Sequence, residues 1–140
     1  MSIEDNKALI LRMYELLNRR ELDAYIDRIA PDWVLHLTDC DISRDQEREL
    51  DSRWFAAFPD VTSTIEDMVA EGDKVAFRVT WRGAQKDELM GMAPIVNRFE
   101  MTNTAIYRIS GGKVAESWET LDNLRFLQHL GAIPSASAHK

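Results

Sequence analysis

The chain has 140 residues and a mass of 16.1 kDa, enough for one domain and too little for a second core of ordinary size. At 45% apolar and 29% charged residues its composition is neither disordered nor fibrous, and apolar stretches such as Ala8 to Leu11 are too short to cross a bilayer. Twenty-four acids against 17 bases give a formal charge of −7, the wrong sign for displacing counterions from nucleic-acid phosphates.

In chain order, Ser2 with Asp5 makes a capping-box pattern, and Ile10, Met13, Tyr14 and Leu17 then recur at helical spacing. A second short helix carries Leu22, Tyr25, Ile26 and Ile29 and is expected to close at Pro31. Trp33 to Leu37 is apolar and β-branched and predicts a short strand. Ser43 with Gln46 is a second capping box, and the helix behind it places Leu50, Trp54 and Phe58 on one face before Pro59-Asp60 stops it. Strands follow. From Val61 to Ala70 the pattern alternates, with Val61, Ser63, Ile65, Asp67 and Val69 on one parity. Glu71-Gly72-Asp73 turns the chain into Lys74 to Arg82, where Val75, Phe77, Val79 and Trp81 share a face. A Gly/Met/Pro-bearing loop, Gly83 to Asn97, leads to a hairpin of Arg98 to Ile109 and Lys113 to Leu121 about Ser110-Gly111-Gly112. A last helix, Asn123 to Leu130, stops at Gly131 with Pro134 beyond. Helices first and a strand meander second predict one α+β domain over residues 1–134, with 135–140 a frayed, disordered tail.

The single cysteine, Cys40, can form neither an internal disulfide nor a cysteine-based metal site. His36, His129 and His139 show no ligand spacing, and no phosphate loop or GxGxxG is present, so neither a metal nor another cofactor is expected. The N-terminus bears acids where a secretion signal would be basic, which predicts a cytoplasmic protein. Neither nucleic acid nor membrane is an expected partner. Helices on one face of a bent antiparallel sheet make a cone, and four tryptophans and five phenylalanines are available either to line it for an apolar, polycyclic ligand or to fill the core.

Phe55–Val61 (FAAFPDV), Glu66–Gly83 (EDMVAEGDKVAFRVTWRG), Leu89–Pro94 (LMGMAP), Ile109–Asp122 (ISGGKVAESWETLD) and Leu127–Pro134 (LQHLGAIP) form an ordered series. In these segments the chain resembles the SnoaL-like polyketide cyclases of the NTF2-like superfamily. That resemblance runs from about Asn6 to Pro134. It implies an NTF2-like cone whose N-terminal helices pack on a curved, mainly antiparallel sheet enclosing a pocket. The fold also hosts isomerases, hydrolases and non-catalytic binders, so reaction follows from the site rather than from the fold.

The resemblance further implies that Asp122, in Trp118-Glu-Thr-Leu-Asp122, is a general acid/base for intramolecular aldol closure. At a water-poor pocket mouth its pKa would rise toward the working range; as the cap of the following helix it would fall. His36, which follows Trp33 at the family's spacing, is expected to face the cavity and to share in proton transfer or in a hydrogen bond to a ligand carbonyl. Strand parity groups Trp118 and Thr120 with Asp122, and Val114 and Glu116 continue the row. Substrate contacts are expected from Trp54, Trp118, Thr120, Arg78 and Met90. Arg78 is either an inward-facing enolate stabiliser or an ordinary surface arginine. Of the two rows of the neighbouring strand, Thr102-Thr104-Ile106-Arg108 and Met101-Asn103-Ala105-Tyr107, the pattern does not choose which lines the cavity. Gln85 and Ile95-Val96-Asn97 depart from family residues at the pocket mouth, which bears on the cyclase reaction more than on the fold. The expectation is a cofactor-independent cyclase or isomerase acting on an apolar polycyclic or aromatic ketone. The alternative is a non-catalytic binding or dimerisation module. A sheet with an exposed outer face predicts a homodimer.

Overall fold

A computed structural model describes residues 2–84 and 98–129. Met90 and its loop, Gly131, Pro134 and the tail lie outside the described residues. Helix α1 (Ile3–Asn18) starts as its capping box dictates: Ser2 Oγ accepts from the Asp5 amide and Asp5 reaches back to the Ser2 amide. It buries Ile10, Met13, Tyr14 and Leu17, as the spacing requires. Helix α3 (Arg44–Ala57) repeats the device, with Ser43 and Gln46 closing the box. Between them, α2 is shorter than the sequence suggests, Leu22–Ile26, and Ile29 already belongs to strand β1 (Ile29–His36). Pro31 therefore sits inside β1 rather than ending a helix. It is tolerated because the pairing of β1 with β6 breaks register between Ile29 and Val34, so no ladder bond is asked of its missing N–H.

Strands β2 (Asp41–Ser43), β3 (Thr62–Glu71), β4 (Lys74–Ala84), β5 (Arg98–Ser110) and β6 (Lys113–Leu121) complete one sheet of order β2-β1-β6-β5-β4-β3, antiparallel except where β1 meets β6. The β5–β6 turn places Gly111 and Gly112 at φ 60° and 79°, a conformation costly for any residue with a Cβ. Helix α4 (Asn123–His129) docks on β5, where the Glu100 amide donates to His129 Nδ1 at 3.0 Å.

Two one-residue insertions decide which side chains face the helices. In β6, Arg108 pairs with Glu116 and Ile109 with Val114, so Ala115 is an extra residue in the ladder. In β3, Ile65 pairs with Val79 and Asp67 with Arg78, leaving Glu66 extra. A single extra residue flips every side chain beyond it to the other face. Val114 is thus buried, yet the inward row continues through Ser117, Glu119 and Leu121, not through Glu116, Trp118 and Thr120. Val69, grouped by parity with Ile65, is 68% exposed on the outer face. On β5 the buried row is Phe99, Met101, Asn103, Ala105, Tyr107 and Ile109. The curved inner face, covered by α1, α3 and α4, holds the core; among the described residues no helix lies over the outer face.

Candidate functional site

Between the helices and the inner face lies a cavity of about 730 Å³, within the range that accepts a small organic ligand. One wall is aromatic. Trp54 of α3 meets Phe58, Phe99, Phe126 and Trp81 with ring centroids 4.6 to 6.1 Å apart, all tilted or edge-on. Such rigid rings offer flat apolar contact at low entropic cost.

The opposite end carries acids and phenols. Tyr107 Oη donates to Glu119 Oε1 at 2.9 Å, and Tyr14 Oη lies 3.3 Å from Tyr107 Oη. Glu119 stands directly across from Ala105 in the ladder, which sets its carboxyl diagonal to Tyr107. Glu47 and Asp51, one turn apart on α3, line the same cavity and hydrogen-bond to each other. Tyr25 of α2 closes the floor beside them. Asn103 is 6% exposed and lines the cavity, and neither its Oδ1 nor Asp51 Oδ2 has a hydrogen-bond partner among the described residues.

Acids gathered in poor solvent hold their protons. Burial, reinforced by the Glu47 charge, pushes the Glu119 carboxyl up to about 7 against the pull of the Tyr107 hydroxyl. Burial likewise raises Asp51 to about 7 and carries Glu47 well above the usual carboxylate range, with the charge of Asp51 adding to the latter. The three tyrosines are pushed up by burial and then by the neighbouring acids, so they remain neutral hydroxyl donors at any ordinary pH. The arrangement therefore offers a carboxyl poised to exchange a proton at neutral pH, neutral hydroxyls beside it, and an aromatic slot. Among the described residues no group of three His, Cys, Asp or Glu side chains is spaced to hold a metal ion.

Of the residues expected from sequence, the structure puts Trp54 in this cavity. His36, Trp118, Thr120 and Arg78 instead line a groove of about 610 Å³ on the outer face. There His36 stacks on Trp118 with centroids 5.5 Å apart, its Nδ1 3.0 Å from Asp41 Oδ1 and its Nε2 2.7 Å from Glu116 Oε2. Hydrogen bonds donated to the Glu116 and then the Asp41 carboxylate raise the imidazole pKa. Arg78 pairs with Asp67 at 2.6 Å on the outer surface. Parity failed for Trp118 and Thr120 because the Ala115 bulge intervenes between them and Val114. Asp122 sits half-buried where β6 passes into α4, its carbonyl accepting the Phe126 amide at 3.2 Å as the helix begins. Its neighbours Leu121 and Asn123 provide the cavity wall at that junction. Met90 is outside the described residues.

Sequence reasoning passed over Glu47, Asp51, Glu119 and the three tyrosines. The signal for two of them was present: Glu47, Asp51, Trp54 and Phe58 recur at spacings of four, three and four, so the acids share a helical stripe with the rings.

Helices closing over one face of a curved six-stranded sheet, around a pocket of acids and rings, define an NTF2-like cone with an enclosed site. The SnoaL-like polyketide cyclase model matches residues 7–130, and the chain belongs to that family. Among solved structures it is similar to AclR of Streptomyces galilaeus, described as a candidate hydroxylase, at 31% identity and a TM-score of 0.90 over 96% of this chain and 86% of that one. It is also similar to IdmH of Streptomyces antibioticus, described as a candidate polyketide cyclase, at 34% identity and a TM-score of 0.81 over 90% and 98%. TsrD of Streptomyces laurentii, at 24% identity and a TM-score of 0.84 over 95% and 99%, shares the fold. No functionally curated protein matches the chain.

Proposed function

We propose that the protein is a cofactor-independent acid/base catalyst, of the aldol cyclase or isomerase type, that takes an apolar, ring-bearing ketone into the inner cavity. The observation that carries this reading is Glu119: a carboxyl raised to about 7, held by Tyr107 at 2.9 Å, at the end of an aromatic slot. As carboxylate it removes a proton from the carbon next to a ketone. The carbon–hydrogen electron pair becomes the enolate, and the Tyr14 hydroxyl, 3.3 Å from Tyr107 Oη, supplies a hydrogen bond where negative charge develops. In an aldol closure the enolate carbon attacks a second carbonyl, and the new alkoxide receives the proton that Glu119 took. The family relationship and the cyclase description of IdmH support the substrate class.

The test is deuterium exchange at the α-carbon of 2-tetralone, a bicyclic aromatic ketone, followed by NMR in D2O. Wild type should accelerate exchange, and Glu119→Gln should lower the rate about 10²-fold or more. Asp122, the proton carrier that the family motif implies, is tested alongside: loss of exchange in Asp122→Asn with Glu119→Gln unaffected would transfer the role to it. Binding without exchange would make the chain a non-catalytic carrier. The outer face, where Val69, Ile106 and Trp118 remain exposed, supports a homodimer paired through the sheet. Light scattering that shows only monomer at micromolar concentration would refute that pairing.

A further inference from the structure

The Glu47–Asp51 pair is not used by a mechanism that rests on Glu119 alone. On α3 the basic side chains are engaged elsewhere: Arg44 donates to the Ile26 carbonyl, Arg48 pairs with Asp23, and Arg53, which also lines the cavity, pairs with Glu49 at 2.6 Å. From the elements packed against α3, the groups facing the pair are Tyr14 of α1, Tyr25 of α2 and Glu119 of β6, with Tyr107 of β5 behind Tyr14. β1 and β2 present only the apolar Leu35 and Ile42. Among the described residues no cation is paired with these two carboxyls, placed one helical turn apart, so they keep at least one proton between them at neutral pH. A second observation marks this end of the cavity as a place for a ligand's polar group. Asn103 is 6% exposed and lines the same wall, yet its Oδ1, like Asp51 Oδ2, has no partner among the described residues.

We infer that Glu47 and Asp51 form a second catalytic group, the acid that meets the carbonyl oxygen of the substrate while Glu119 takes the proton from carbon. The inference rests on the acid/base function proposed above and assigns its other half. As the α-carbon loses its proton to Glu119, the C–H electron pair forms the C=C bond, the C=O π pair moves to oxygen, and that oxygen takes a proton from the Glu47–Asp51 pair. Glu119 becomes neutral as the pair becomes more negative, so the cavity's net charge is unchanged and no external counter-ion is needed. In aldol closure both transfers reverse. The enol proton returns to the pair, and the alkoxide formed at the second carbonyl receives the proton held by Glu119. Asn103 then has the office of accepting a hydroxyl of the bound ligand.

The experiment is the pH–rate profile of 2-tetralone α-exchange for wild type, Glu47→Gln, Asp51→Asn, Glu47→Asp and Glu119→Gln, with circular dichroism confirming that each is folded. Wild type should give a bell: the rate rises as Glu119 ionises and falls at higher pH as the pair gives up its last proton. Glu47→Gln and Asp51→Asn should each lower the rate at least tenfold and remove the alkaline limb while the acid limb stays. Glu47→Asp, which keeps an acid, should retain that limb. In parallel, carbon-13 NMR of the side-chain carboxyls in the ligand-free Glu119→Gln protein, where that acid cannot contribute, should show a protonated carboxyl at neutral pH that is absent once Glu47→Gln and Asp51→Asn are both added. If Glu119→Gln abolishes exchange but the amide variants keep the wild-type profile, the inference falls and the function stands. If wild type catalyses no exchange, both fall. Absence of the protonated carboxyl signal overturns the inference whatever the rates.

Discussion

Replacing Glu119 by glutamine keeps an oxygen able to accept the Tyr107 hydroxyl and removes the titrating proton. In the folded protein burial, and then the charge of Glu47, move this carboxyl from its ordinary 4.5 up to about 7. Between those two values the native state holds a proton that the unfolded chain has released. Wild type must therefore lose stability as pH rises through that window and carry the full penalty above it. The gap, at about 1.36 kcal/mol per pH unit, sets a ceiling of ~3 kcal/mol. Because Glu119 keeps some access to the cavity and shares its charge environment with Glu47, the realised value should be about 1–3 kcal/mol. Glu119→Gln should accordingly exceed wild type in stability by that amount at pH 8.5 and match it near pH 4.5. Urea unfolding followed by tryptophan fluorescence at both pH values measures the difference. A difference that does not change with pH, or a variant less stable than wild type at pH 8.5, would refute the claim that this acid is held protonated by its surroundings.

Trp33→Phe should destabilise by about 1–3 kcal/mol, because Trp33 Nε1 donates at 2.9 Å to Ser117 Oγ and the fully buried hydroxyl would lose its partner; thermal melts check this, and an unchanged midpoint would contradict it. Gly83→Ala should cost about 1–3 kcal/mol, since an added Cβ would meet the Val61 backbone at 3.1 Å and the Phe99 ring at 3.2 Å; denaturant midpoints report it. His36 should titrate above 6.5 by NMR, its imidazolium held by Glu116 and Asp41. That contribution is complete below 6.5 and disappears as pH rises past the folded value, so His36→Ala should lower stability at pH 6 and not at pH 9. An equal loss at both pH values would show that His36 acts by packing on Trp118 alone.

Both helix starts were legible because Ser2–Asp5 and Ser43–Gln46 are local devices whose geometry follows from four residues. The Gly111-Gly112 turn and the inward row of β4 were legible for the same reason. The inward row of β6 was not. Its phase depends on the Ala115 bulge, and nothing within Lys113–Leu121 marks an extra residue; only pairing with β5 and β1 defines it. That one residue exchanges Trp118 and Thr120 for Glu119 and Leu121 and so moves the expected site through the sheet. Glu66 in β3 does the same to Val69. Glu47 and Asp51 fell on the stripe of Trp54 and Phe58, but acids on a helix ordinarily face water. Their turning inward depends on a cavity that exists only once sheet and helices are assembled.

The placement of chemistry on the inner face is tested most directly by the indole N–H signals of the four tryptophans during an NMR titration with 2-tetralone. Trp54 and Trp81 line the cavity, Trp118 lies on the outer face, and Trp33 is buried with its N–H on Ser117. The ketone should shift the Trp54 and Trp81 signals in a saturable manner and leave Trp118 where it is. Movement of Trp118 with Trp54 and Trp81 unmoved would put the ligand on the opposite side of the sheet and remove Glu119 from the reaction.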